Sequence, residues 1–238
     1  MFTDKVALKD FEKMGPEYQE LLKRVLAIQA DCEIGGPHLY LKDILPGAPS
    51  KDDQLMVAKT AAEEIDHFRK IFRLAGDIGE DVSYTLSWPN QKRYVEAFRG
   101  KISTWEDFAI FGFLIDRVGR YQLEEFMNCS YQPLAEIMPE IIKEEIGHVG
   151  YGGSKAAELA AQGDEHRERL QKALDYWYAK ALDMFGRSGS KRSERYRYWG
   201  LKRRSNEEAR SEYIAEVQPL IEKLGLRVPE VHKDRLYH

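Results

Sequence analysis

An all-α protein is what this sequence predicts, and three observations predict it. Apolar residues recur at three-to-four spacing along most of the chain, whereas strand-like alternation rarely persists beyond about five residues. Helix-start signals punctuate the pattern: Pro16 suits an early helical position, and Thr104 with Asp107 and Ser205 with Glu208 pair as caps. The composition, 43% hydrophobic and 32% charged over 238 residues, is that of a folded helical protein and too apolar for a disordered chain.

The elements follow in order. The first helix begins near Pro16, puts Leu22, Val25, Leu26, Gln29 and Glu33 on one face, and is expected to stop at Gly35-Gly36-Pro37. A second runs from about Ser50 to Gly76 with Val57, Ala61, Glu64, His67, Phe68 and Ile71 on its inner face, so the two form a hairpin. An insert containing Trp88-Pro89 and a short amphipathic piece from Lys92 to Phe98 lead to a helix from Thr104 to about Asn128. The fourth follows Pro133 or Pro139 and continues to Gln162, with Gly147, Gly150, Gly152 and Gly153 as weak points. A fifth spans about Asp164 to Phe185, and a last one runs from Ser205 to Leu224. The expectation is one domain over 1-238, a bundle core over about 16-162 and a helical extension over about 163-238.

Several function classes are excluded. The longest apolar run, Phe108 to Ile115, is far short of the roughly 20 residues that cross a bilayer, so no membrane span is expected. The first residues carry no charged segment followed by a long apolar one, which makes the cytoplasm the expected compartment. Cys32 and Cys129 are too isolated for a disulfide framework or a metal-binding cysteine pair. A net charge of -4 argues against a general nucleic-acid binder. One stretch runs the other way: 187-204 holds eight Lys/Arg against one Glu, interleaved with Tyr196, Tyr198 and Trp199. Its readings are capture of phosphates by arginine forks, an acidic partner, a nucleic-acid surface, or solvated charge.

Two segments repeat: Glu63-Glu64-Ile65-Asp66-His67 and Glu144-Glu145-Ile146-Gly147-His148. With four Glu-Glu pairs and 6 His in the chain, Glu-Glu-x-x-His is expected about 0.1 times by chance, and it occurs twice. Residues three apart on a helix share a face, so Glu64 with His67, and Glu145 with His148, can each grip one cation. Ferritin-like di-iron bundles use two such Glu-x-x-His helices plus one further carboxylate from each of the other two helices. In an antiparallel hairpin, residues equidistant from the turn lie level. That rule selects Glu33 opposite Glu64 and Asp116 opposite Glu145, while Glu124 and Glu125 stand about two helical turns out of level. Both motifs lie on apolar faces, where unpaired acids and imidazoles are costly, and two divalent cations would balance the four carboxylates. Mixed carboxylate and imidazole ligation suits two Fe ions, with manganese as the alternative. Glu63 and Glu144 are candidate acceptors for the outer N–H of the opposing hairpin's histidine, or else exposed helix positions.

These segments, together with Asp183-Met184-Phe185-Gly186, Tyr198-Trp199-Gly200-Leu201-Lys202 and Pro219 to Leu226, resemble the catalytic component of the phenylacetyl-CoA epoxidase (phenylacetic acid catabolic) family. The resemblance covers about Glu17 to Pro229. It implies a ferritin-like four-helix bundle with additional C-terminal helices, and Glu33, Glu64, His67, Asp116, Glu145 and His148 as iron ligands. It also implies a monooxygenase that uses O2 to place one oxygen on the aromatic ring of an aryl-CoA thioester, most readily phenylacetyl-CoA, as an epoxide. The implied partners are a homologous non-catalytic ferritin-like subunit in a hetero-oligomer and a separate flavin and iron-sulfur reductase, since no glycine-rich dinucleotide motif or cysteine cluster occurs here. On this reading Lys202, Arg203 and Arg204 become candidates for CoA phosphate contacts, and Phe108, Phe111, Gly112 and Phe113 for a small apolar pocket beside Asp116. The alternatives are an iron-storage or peroxide-scavenging protein, a tRNA-hydroxylating di-iron enzyme, and a non-catalytic scaffold subunit of the same complex.

Overall fold

The computed structural model describes residues 2–87 and 93–237; Trp88-Pro89 and Lys92 lie outside the described residues. Helix α1 (Pro16–Tyr40) and α2 (Lys51–Asp77) form the first hairpin. The second comprises α3 (Trp105–Phe111), one π-helical turn (Gly112–Asp116), α4 (Arg117–Phe126) and the antiparallel α5 (Gln132–Ala161). Three helices follow, α6 (Asp164–Asp183), α7 (Lys191–Tyr198) and α8 (Asn206–Lys223). Among the described residues there is no β-strand, only an isolated bridge between Val6 and Tyr131. The architecture is an all-α, ferritin-like bundle, and no helix among the described residues is long and apolar enough to cross a membrane.

Local chemistry accounts for several helix starts. Ser50 caps α2 by accepting from the Asp53 N–H, and Thr104 and Ser205 close reciprocal capping boxes with Asp107 and Glu208. The expected stop at Gly35-Gly36-Pro37 does not occur, and α1 continues a further turn to Tyr40. Packing overrides the breakers there. A Cβ on Gly35 would stand 2.6 Å from Phe98 Cγ, so the missing side chain makes the slot that Phe98 fills. The basic stretch is also not a plain linker, because α7 forms within it behind a Ser190 cap.

The apolar core falls into two parts. One gathers Tyr18, Leu22, Leu26, Phe68, Ile71, Leu134 and Ile141; the other gathers Tyr40, Val57, Ala61, Phe111, Leu114 and Ala156. Along α1, α2 and α5 the two clusters occupy opposite ends, and the residues between them are Glu33, Glu64, His67, Glu145 and His148. A buried polar layer thus interrupts an otherwise apolar bundle.

The π-helical turn sets the position of Asp116 in that layer. A Cβ on Gly152 of α5 would fall 2.5 Å from the Gly112 carbonyl carbon, so the two glycines allow the turn and α5 to touch backbone to backbone. The C-terminal helices support it from outside. Tyr213 of α8 donates to the Leu114 carbonyl at 3.1 Å, and Glu216 accepts from Arg117, from Arg120 at 2.6 Å and from Tyr121 at 2.7 Å. Trp177 of α6, fully buried, sits edge-on to Phe111 with ring centroids 5.1 Å apart.

Candidate metal centre

Four helical segments supply the layer. Glu33 comes from α1, Glu64 and His67 from α2, Asp116 from the π-helical turn, and Glu145 and His148 from α5. Ligand atoms of Glu33, Glu64, His67 and Glu145 lie within 4.8 Å of one another, and all four side chains are buried. His67 Nδ1 faces Glu33 Oε2 at 3.3 Å and Glu145 Oε1 at 3.4 Å. His148 Nδ1 faces Glu64 Oε1 at 3.3 Å and Glu145 Oε1 at 3.7 Å. The two imidazole centroids are 6.2 Å apart. Asp116 and His148 fall outside the tightest group; His148 reaches it through Glu64 and Glu145, and Asp116 lines the same small chamber as Glu33, Glu64 and Glu145.

The outer edges of both imidazoles are held across the hairpins. Glu144 of α5 accepts from His67 Nε2 on α2 at 2.7 Å, and Glu63 of α2 accepts from His148 Nε2 on α5 at 2.9 Å. Each carboxylate immediately preceding a candidate ligand glutamate therefore orients the other helix's histidine. Such partners fix tautomer and ring orientation at metal sites.

Electrostatics make the layer costly without cations. Burial would lower the His67 and His148 pKa values, but the adjoining carboxylates outweigh it and raise them to about 11 and about 12. Burial, and then the neighbouring Glu145, raises Glu64 well above the carboxylate range and Asp116 to about 7. Burial would raise Glu145 too, yet the two imidazoles hold it at about 2. Protons thus do in the metal-free protein what divalent cations do in a metal site. His148 Nδ1 is buried and makes no hydrogen bond despite facing two carboxylates, an orphan atom suited to coordination. The oxygen and nitrogen donor set fits iron or manganese.

Two contributors escaped sequence reasoning. Gln29, one turn before Glu33, donates a hydrogen bond to Glu33 Oε1 and lines the chamber. Tyr40 is buried with an unpartnered hydroxyl beside Gly36, and burial followed by the charge of Glu64 keeps its phenol protonated. Spacing offered a signal in both cases, since Gln29, Glu33, Gly36 and Tyr40 follow one helical face.

The sequence model of the family described as phenylacetic acid catabolic protein matches residues 5–236. The chain belongs to that family. A similar protein is the 1,2-phenylacetyl-CoA epoxidase of Escherichia coli (strain K12), of which the first-lettered polypeptide is 27% identical to this chain over 233 residues. That match covers 96% of this chain and 75% of the relative. The chain is also 26% identical over 230 residues to the benzoyl-CoA oxygenase component B of Aromatoleum evansii, covering 83% of this chain and 48% of the relative.

The surroundings of the chamber correct two expectations. The large apolar residues of the chamber wall are Phe98, Phe111, Ile115, Leu123 and Met184. Phe111 belongs to it, but Phe108 packs on Tyr40 and Trp105, Phe113 lies under Arg117, and Gly112 faces Gly152. Arg204 is not a free phosphate fork. It is buried, with its guanidinium bound to Glu125, Glu212 and the Tyr121 carbonyl, which also gives Glu125 its partner. Arg203 is exposed, and Lys202 borders a larger outer cavity of about 320 Å³. Arg24, Lys180, Arg187 and Arg192 border the same cavity.

Proposed function

We propose that this chain is the catalytic subunit of a two-iron monooxygenase that converts the aromatic ring of an aryl-CoA thioester, phenylacetyl-CoA foremost, to its 1,2-epoxide with O2. The observation that carries this reading is the polar layer itself: Glu33, Glu64, His67 and Glu145 converge, His148 faces Glu64 and Glu145, Asp116 lines the adjoining chamber, and each imidazole is oriented from outside by a glutamate of the other hairpin. Glu33, Glu64, His67, Asp116, Glu145 and His148 would hold the pair of ions, with manganese as the second candidate. The ions, when bound, supply the redox and Lewis-acid chemistry that activates oxygen.

The chain's own residues supply the rest. Glu63 and Glu144 keep both imidazoles presenting Nδ1 to the centre. Phe98, Phe111, Ile115 and Leu123 wall the chamber and leave room for little water, which limits side reactions of a reactive oxidant. Tyr40 remains a neutral donor beside the chamber. In the outer cavity the cations Arg24, Arg187, Arg192 and Lys202 suit the phosphates of a nucleotide thioester, while Tyr94, Tyr196 and Phe185 offer aromatic surface to its base. Residues of the C-terminal extension reach both cavities, which supports core and extension acting as one domain.

Electrons come from a separate flavin and iron-sulfur reductase on this reading, and a homologous non-catalytic subunit completes the assembly. Both relatives carry names of one component of a larger enzyme, which supports a hetero-oligomer. The cytoplasm is the proposed compartment, in keeping with two unpaired cysteines. The test is turnover under 18O2 by the iron-loaded chain with its non-catalytic partner, its reductase and phenylacetyl-CoA. One labelled oxygen in the ring product is expected. Oxygen uptake indifferent to every aryl-CoA thioester, with many irons mineralised per chain, would establish the storage alternative instead.

A further inference from the structure

The chamber beside the carboxylates holds about 30 Å³, and the basic outer cavity about 320 Å³. The smaller figure is room for a water molecule or two, since a cavity of about 150 Å³ is the size known to take up benzene. An aromatic ring therefore cannot reach the metal centre in this conformation. Some part of the wall has to yield.

Among the described residues, Gln122 and Met184 alone border both spaces. Gln122, on α4, donates from Nε2 to the Met184 main-chain carbonyl at 3.0 Å. Met184 caps the C-terminus of α6, two residues before Gly186, whose φ of +82° turns the chain sharply away. Of the other walls, Phe98, Phe111, Ile115 and Leu123 are buried core residues packed in the bundle, and Cys32, partly buried on α1, has only a short side chain. Met184 is only half-buried and carries an unbranched side chain with three rotatable bonds, the type best able to swing aside. Gln122 is held by one neutral hydrogen bond to a main-chain group, which its amide can exchange for a bond to an incoming ligand.

We propose that Gln122 and Met184 form a door between the two cavities: it admits the acyl end of a nucleotide thioester to the metal chamber, keeps the nucleotide in the outer cavity, and sets the size of ring accepted. This rests on the thioester reading of the outer cavity given above. The Met184 side chain acts as one movable panel and the Gln122 amide, tied to the Met184 main chain, as the other, so the pair determine specificity without holding metal.

The test uses the full-length, iron-loaded protein without reductant, so that binding is read without turnover. Calorimetry compares phenylacetyl-CoA with CoA. The wild type should prefer the thioester by about tenfold or more, the worth of burying a ring. Met184→Trp, which jams the door, should lose the preference for the thioester over CoA, while Met184→Ala should extend it to naphthylacetyl-CoA. A second readout needs no thioester: anaerobic removal of ferrous iron by 2,2′-bipyridyl should accelerate several-fold in Met184→Ala and in Gln122→Ala, with iron content and melting temperature matching the wild type. An unchanged thioester preference in Met184→Trp together with unchanged bipyridyl rates in the other two variants overturns the door. A wild type that binds neither CoA nor its thioester overturns the substrate reading, and the bipyridyl rates then still decide whether the two residues gate the chamber.

Discussion

Replacing Glu144 by Gln tests the crossed support of the histidines. Glu144 Oε2 lies 2.7 Å from His67 Nε2, within the range of a charge-assisted hydrogen bond, and Gln preserves the shape while removing the charge. Loss of such an orienting carboxylate costs about 10 to 100-fold in metal affinity, or about 1.4 to 2.7 kcal/mol. Glu63→Gln provides an internal scale. Its contact with His148 is longer at 2.9 Å, and Lys59 already stands 3.5 Å from the Glu63 carboxylate and draws off part of its charge. The Glu144 substitution should therefore fall near the upper end of the range and that of Glu63 near the lower end. The assay is competition for Fe(II) against a chromophoric chelator at fixed pH, with circular dichroism to confirm the fold. Affinities equal to the wild type in both variants would falsify the idea that these carboxylates support the ligands.

Other expectations follow from the same geometry. His67 and His148 are raised to about 11 and about 12 and Asp116 to about 7, so metal must displace protons; Fe(II) affinity should climb between pH 6 and 8, and a flat profile contradicts it. In the metal-free protein the sign for stability is opposite: raised histidines stabilise fully below the unfolded value of about 6.5, and that contribution should fade towards pH 11 in thermal melts. Gly152→Ala forces a Cβ against the Gly112 backbone and should cost about 1–3 kcal/mol with loss of iron, whereas Gly150→Ala, with open space around it, should be neutral or stabilising in the same denaturant titration. Arg204→Ala removes the guanidinium from the buried Glu125 carboxylate, which keeps only the main-chain N–H groups of residues 203 and 204, and should cost about 1.5–3 kcal/mol, while the exposed Arg203→Ala leaves stability unchanged; equal midpoints would refute the assigned burial role.

The layer was legible because its signal is local and doubled. Glu64-x-x-His67 and Glu145-x-x-His148 recur at one spacing, and the levelling rule reached Glu33 and Asp116 from turn positions alone. What escaped depends on distant contacts. The run Gly35-Gly36-Pro37 reads as a helix stop until Phe98 is seen filling the slot at Gly35. The π-helical turn before Asp116 follows from the Gly112–Gly152 contact, forty residues apart, and from Tyr213 reaching Leu114. Arg204 reads as one of a run of surface cations until Glu125, 79 residues away in sequence, is found beneath it. The apolar lining was the least legible part, because Phe98 and Met184 come from segments outside the four helices that the motif defines.

The measurement that bears most directly on the central claim is the iron content of the purified chain and of Asp116→Ala, counted by metal analysis and by Mössbauer spectroscopy. Two irons per wild-type chain and about one in the variant are expected, because Asp116 is the carboxylate that the π-helical turn delivers to the chamber. Two irons retained by Asp116→Ala, or a single iron in the wild type, would contradict it.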